Sequence, residues 1–164
     1  MGSTSGIERS EDGVPETPFH VICSAVKAHV SFQRVEQVLA VEPGIGNVNL
    51  VRISSILPPS AQQDQELDLP PGSLVPTAYG SIVCEEPGTK IAAAVGIGFS
   101  ADTFGVIMEY SGQCSKEEAE AKIASMLKDA FENRKLPLVK TEIRAVEHTV
   151  EQTGCAFAAV ALWY

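Results

Sequence analysis

No apolar run in the sequence approaches the roughly 18 residues that a membrane-spanning helix needs, so no such helix is expected. Positive charge is scarce as well. Twelve Lys and Arg stand against 21 Asp and Glu, a net charge of −9. Nucleic acids and anionic membrane surfaces are recognised through a basic footprint, and neither is an expected partner. The four cysteines, Cys23, Cys84, Cys114 and Cys155, form no C-x-x-C pair, and His20, His29 and His148 have no ligand spacing. A metal site is therefore not expected, and the spacing reads as free thiols in a reducing cytoplasm. Residues 1–17 are rich in Gly, Ser, Glu and Pro and lack the apolar stretch of a secretory signal; they read as a flexible lead-in.

Familiar catalytic and nucleotide motifs are missing too. Gly44-x-Gly46 lacks the third glycine and following helix of a dinucleotide fingerprint, and lacks the Lys-Ser/Thr of a phosphate loop, so it reads as a tight turn. Gly96-x-Gly98, inside an apolar run, reads as a bulge or a close strand contact. No serine sits in G-x-S-x-G, so a hydrolase elbow is not indicated.

What remains is an ordinary globular composition. With 164 residues, 45% apolar and 20% charged, the chain is sized for a single domain spanning residues 1–164. The clearest element is a helix over residues 115–134. Ser115 and Glu118 form a capping box there, and Ala119, Ile123, Met126, Leu127, Ala130 and Phe131 recur at helical spacing. Residues 19–41 carry an apolar set (Val26, Val30, Val35, Val38, Leu39) that suits a second helix, although β-branched side chains weaken that assignment. Strand-like runs are expected at 49–57, 73–84, 90–99, 105–110, 143–148 and 155–163, with an exposed acidic loop at 58–71 and a turn at 86–89. Strands dominate and helices are grouped, a pattern that points to an α+β layered fold.

Two carboxylates merit attention. Glu109 closes the apolar run Val106-Ile107-Met108 and has two readings: a strand-end side chain in water, or a partly desolvated carboxyl that holds a proton, as a general acid must. Glu147 and His148 are adjacent, but neighbours on a strand face opposite ways, so His148 reads as structural.

The stretch "GIGNVNLVRISSILPP" (residues 44–59), together with "LVPTAYG" (74–80), "IMEYSGQCSKEEAE" (107–120) and "VEHTVEQTGCAFAAVALWY" (146–164), resembles the pyruvoyl-dependent arginine decarboxylases of archaeal type. The resemblance covers about three quarters of the chain, from Gly44 onward, in separate blocks with their spacing kept. It implies an αββα four-layer sandwich, of the kind shared with pyruvoyl-dependent histidine decarboxylases, assembled as a homotrimer with active sites between neighbours.

It also implies a cofactor made from the chain itself. The Ser55 hydroxyl would attack the Ser54 carbonyl, the amide would become an ester, and elimination and hydrolysis would leave a covalent pyruvoyl group at position 55. The products are a β chain of residues 1–54 and an α chain of residues 55–164. Neither a metal nor pyridoxal phosphate is implied. The pyruvoyl group forms a Schiff base with the amine of L-arginine and accepts the electrons released as CO₂ leaves, giving agmatine. By the same resemblance Glu109 is the proton donor, Asn49 stabilises the oxyanion during processing, and Gly46, Val48 and Ser54 contact the substrate. Upstream of Gly44 the sequence departs from the family pattern. Allowing one inserted residue puts Glu36 where the family's aspartate holds the guanidinium, with Glu42 as a second carboxylate. That departure leaves two alternatives: decarboxylation of another amino acid, or a non-catalytic trimeric homologue.

Overall fold

The computed structural model describes residues 20–29, 45–64, 68–101 and 103–163. The expected lead-in 1–17, both Glu36 and Glu42, and the 30–41 part of the expected first helix lie outside them. Two sheets stack face to face, and a helix covers the outer face of one. The first sheet has five strands in the order β2–β5–β9–β1–β4. Its centre is antiparallel: β5 (Leu74–Cys84) and β1 (His20–His29) flank β9 (Gly154–Trp163). The short edge strands β2 (Asn49–Arg52) and β4 (Gln62–Gln63) pair parallel with β5 and β1. The second sheet is antiparallel throughout, in the order β3–β7–β6–β8. It contains β3 (Ile56–Leu57), β6 (Lys90–Phe99), β7 (Gly105–Gly112) and β8 (Lys140–Thr149).

Alternation along the strands builds the layers. On β6, Ile91, Ala93, Val95 and Ile97 face the first sheet, where they meet Ala78 of β5 and Ala156, Ala158, Val160 and Leu162 of β9. The other face of β6 presents Ala92 and Ala94 to the helix α1 (Lys116–Arg134), which packs Ala119, Ile123 and Leu127 onto them. Gly96 and Gly98 share that outer face. A Cβ on Gly98 would come within 2.6 Å of the Phe131 ring, and one on Gly96 would collide with Ile123. The pair is neither a bulge nor a strand–strand contact, since β6 pairs with β7 without interruption from Ala92 to Gly98. It makes room for the helix to sit close to the sheet.

The helix begins and ends where local chemistry dictates. The Ser115 side chain accepts from the Glu118 N–H, and the Glu118 carboxylate accepts from the Ser115 N–H at 2.7 Å. At the other end Lys135 adopts a left-handed conformation (φ 54°), and its N–H returns to the carbonyls of Glu132 and Phe131. On the far side of the five-stranded sheet, Val75, Cys155, Phe157, Ala159 and Ala161 are buried with Ile45 and Leu69.

Further expectations need correction, among them the loop at 58–71, which contains the short strand β4. The first ten described residues, His20–His29, form a strand and not a helix. Pairing with β9 along the whole of that length satisfies every second backbone group, and this non-local gain outweighs the helical spacing of the apolar side chains. The run at 49–57 is not one strand either. Its two halves, β2 and β3, belong to different sheets.

Candidate active site

Ser54 and Ser55 occupy the crossover between those halves. The last tie to the first sheet is the Ile53 N–H donating to the Thr77 carbonyl at 3.2 Å. The first tie to the second sheet is the Ile107 N–H donating to the Ser55 carbonyl at 2.8 Å. The Ser54–Ser55 peptide bond thus bridges the gap between the two sheets. Ser55 adopts a left-handed φ of 69°, a conformation that costs a residue with a Cβ roughly 1–2 kcal/mol and is held by its surroundings.

Glu109 meets it from β7. Paired with Val95, it shares the inner face of its sheet with Ile107, and its side chain is only 22% exposed. The Ser55 hydroxyl donates to Glu109 Oε2 at 3.0 Å, joining residues 54 positions apart. Beside them the two sheets come close. The Ser111 hydroxyl donates to the Ser81 carbonyl at 2.9 Å, and a Cβ on Gly80 would lie 3.0 Å from the Tyr110 carbonyl oxygen. That proximity lets a carboxylate of one sheet reach a chain segment leaving the other.

Arg52 completes the group. Its guanidinium lies over the Tyr79 ring with 4.6 Å to the centroid, donates to the Tyr79 carbonyl at 3.1 Å, and comes within 3.9 Å of Glu109 Oε1. Tyr79 is itself stacked on Phe157, with ring centroids 5.5 Å apart. Sequence reasoning passed over Arg52, because a charged residue alternating with apolar ones on an edge strand reads as solvent-facing. The only available signal was its place three residues before Ser55.

The remaining site candidates sit apart from Ser55 within the chain. Asn49 opens β2; its side-chain amide donates to the Gly72 carbonyl at 2.9 Å and its N–H to the Ser73 carbonyl at 2.7 Å. It lies six positions before Ser55, a span of up to roughly 20 Å in extended chain. Gly46 and Val48 belong to the turn before β2, pinned by the Gly72 N–H donating to the Asn47 carbonyl at 2.7 Å. The carboxylate expected at Glu36 lies outside the described residues. Glu147 and His148 do diverge: Glu147 meets Lys90 Nζ at 3.1 Å, and His148 is buried with its ring against Gly154.

A cleft of about 280 Å³ opens just past the crossover, lined by Leu57, Pro58, Pro59, Phe99, Thr103 and Gly105 among others. Among the described residues, no group of three or more His, Cys, Asp or Glu side chains is placed to hold a metal ion. No helix among them is long and apolar enough to cross a membrane. Cys84, Cys114 and Cys155 are free thiols. Burial pushes the Cys155 thiol up to about 12, and burial, then the nearby Glu118 carboxylate, raises that of Cys114.

A family model described as pyruvoyl-dependent arginine decarboxylase matches residues 36–164. Curated proteins bearing that name are similar to about three quarters of the chain. The one from Methanocaldococcus jannaschii is 55% identical over 123 residues, covering 74% of this chain and 74% of that protein. The one from Methanococcus maripaludis strain C6 is 47% identical over 125 residues, covering 75% and 76% respectively. The Thermococcus kodakarensis protein is 41% identical over 123 residues, covering 74% and 78%.

Proposed function

This chain belongs to the pyruvoyl-dependent arginine decarboxylase family, and from that premise we propose that it cuts itself between Ser54 and Ser55 and decarboxylates L-arginine to agmatine and CO₂. The observation that carries the reading is the Ser55 hydroxyl donating to Glu109 at 3.0 Å across the junction of the two sheets. A serine bonded to a carboxylate, with its own backbone held in a costly conformation, is set up to react.

In the uncut chain the Ser55 Oγ attacks the Ser54 carbonyl carbon and its proton passes to Glu109. The Ser54–Ser55 C–N bond breaks as its nitrogen takes up a proton, leaving an ester between Ser54 and Oγ. Loss of the Ser55 Cα proton then expels the Ser54 carboxylate. Water replaces the nitrogen, which leaves as ammonia, and a pyruvoyl group remains at position 55. Cleavage also releases Ser55 from its left-handed backbone. Once formed, the pyruvoyl group supplies a carbonyl that condenses with the substrate amine and takes up the electron pair released with CO₂. Glu109 holds the proton delivered to the substrate α-carbon, and the freed Ser54 carboxylate lies where the substrate enters.

The reading includes a homotrimer with active sites between neighbours. Asn49, Gly46 and Val48, distant from Ser55 in their own chain, then serve the Ser54–Ser55 site of an adjoining protomer, where the Asn49 amide faces the developing oxyanion. Glu36 remains the carboxylate assigned to the substrate guanidinium, for which a bidentate contact is the natural fit. A fourth, helical layer over the face that carries Val75, Phe157 and Ala159 completes the αββα sandwich; the burial of that face under Ile45 and Leu69 supports it. Free thiols at Cys84, Cys114 and Cys155 fit a cytoplasmic location.

Release of CO₂ from arginine, lysine, ornithine and histidine, each supplied alone to the purified protein, tests the substrate. Arginine should be turned over well ahead of the other three. Comparable rates on all four would reject the guanidinium contact, and no release from any would leave a non-catalytic homologue. Ser55→Ala should stay a single uncut chain; cleavage in that variant would mean that the bond is misassigned.

A further inference from the structure

Among the described residues near Ser55, Arg52 carries a charge that the reaction as derived above does not use. An exposed arginine samples many rotamers, and this side chain is 59% exposed. Yet it has three partners: the Tyr79 ring at 4.6 Å, the Tyr79 carbonyl at 3.1 Å and Glu109 Oε1 at 3.9 Å. The first two are rigid, because Tyr79 is part of β5 and is stacked on Phe157. The guanidinium is therefore anchored to the first sheet and faces a carboxylate of the second.

The consequence concerns the two oxygens of Glu109. Oε2 accepts from the Ser55 hydroxyl, and Oε1 faces the guanidinium. The terminal torsion of a glutamate is broad and only roughly two-fold, so a carboxylate held at one oxygen alone would swing. With Oε1 opposite a fixed cation, Oε2 stays presented to the serine. Arg52 and Ser55 also belong to one short segment whose backbone is bonded on both sides, at Ile53 to Thr77 and at Ser55 to Ile107.

We propose that Arg52 is a positioning residue for Glu109: anchored on Tyr79, it holds the carboxylate so that Oε2 meets the Ser55 hydroxyl during self-cleavage. This rests on the reading of Glu109 as the group that takes the Ser55 proton, and the test separates the two. The full chain is made by cell-free synthesis, and the appearance of the two fragments is timed by mass. Arg52→Met should slow cleavage roughly fivefold, the scale of a partly exposed ion pair, while Arg52→Lys, which keeps the charge, should stay within about twofold of wild type. Arg52→Gln serves the same comparison if the methionine variant yields no folded chain. Combined with Glu109→Gln, Arg52→Met should add no further slowing, because its effect runs through the carboxylate that is already gone.

Wild-type cleavage in Arg52→Met beside slow cleavage in Glu109→Gln would overturn the role of Arg52 and leave that of Glu109 standing. A slowing that multiplies in the double variant would overturn it too, since a general loss of local structure does not depend on Glu109. Failure of the lysine to rescue would overturn the proposal as well, since it rests on a cation held opposite Oε1. Unchanged cleavage in Glu109→Gln would remove the reading on which the proposal rests.

Discussion

Replacing Glu109 by glutamine leaves an oxygen able to accept from the Ser55 hydroxyl but removes the group that can take its proton. The substitution is nearly isosteric, and the side chain is 22% exposed on a strand paired with Val95, so the fold should not change. The effect then falls on the transition state. The 3.0 Å contact places the carboxylate within direct proton-transfer distance of the attacking oxygen, with no water needed between them. A positioned base contributes about 10²- to 10⁴-fold. The retained hydrogen bond still orients the hydroxyl, so the lower end applies: roughly a hundredfold slower self-cleavage, equal to about 2.7 kcal/mol. Fragment appearance timed by mass gives the rate. Hydroxylamine, which cuts esters, should not accelerate it, because the step lost is ester formation. Cleavage of Glu109→Gln at the wild-type rate would refute the reasoning, and rapid hydroxylamine-induced cleavage would move Glu109 to the later elimination.

Other perturbations test the frame around the site. Ser115→Ala removes the hydroxyl that caps α1 and should cost about 1 kcal/mol in a denaturant melt with cleavage intact; a loss under a few tenths would mean that the cap is redundant. Cys155, buried with its thiol raised from an ordinary 9.0 to about 12, stays neutral in the folded chain at pH values where the unfolded chain ionises. Its stabilising contribution is full below pH 9 and is lost as pH climbs towards 12. Cys155→Ala, which cannot ionise, should show a shallower fall in stability over that window, and an identical slope would rule the thiol out as its source.

The helix was legible because its signals are local: a serine, a glutamate three residues later and an apolar repeat. The long strands β5 to β9 were legible for a related reason, since their alternation or unbroken apolar character records the faces they bury. His20–His29 was misassigned because the apolar spacing of residues 19–41 fits a helix, and only a partner strand far downstream, with His20 paired to Trp163 across 143 positions, decides otherwise. The site was half legible. Asn49 to Leu57 reads as one strand-like run; the adjacent Ser54 and Ser55 interrupt its apolar–polar alternation, but such a break does not by itself show that the chain changes sheet there. Pattern alone also left Glu109 with two readings. The resemblance chose between them, and the fold supplied the reason by bringing residue 109 to residue 55. Arg52 stayed hidden because its role depends on Tyr79 and Glu109 together, neither of which is near it in the chain.

Whether the Ser54–Ser55 bond is made to be broken can be read from the mass of the purified protein. Two fragments are expected, residues 1–54 and 55–164, the larger blocked at its N-terminus by a pyruvoyl group. A single intact chain of 17.4 kDa would contradict self-cleavage.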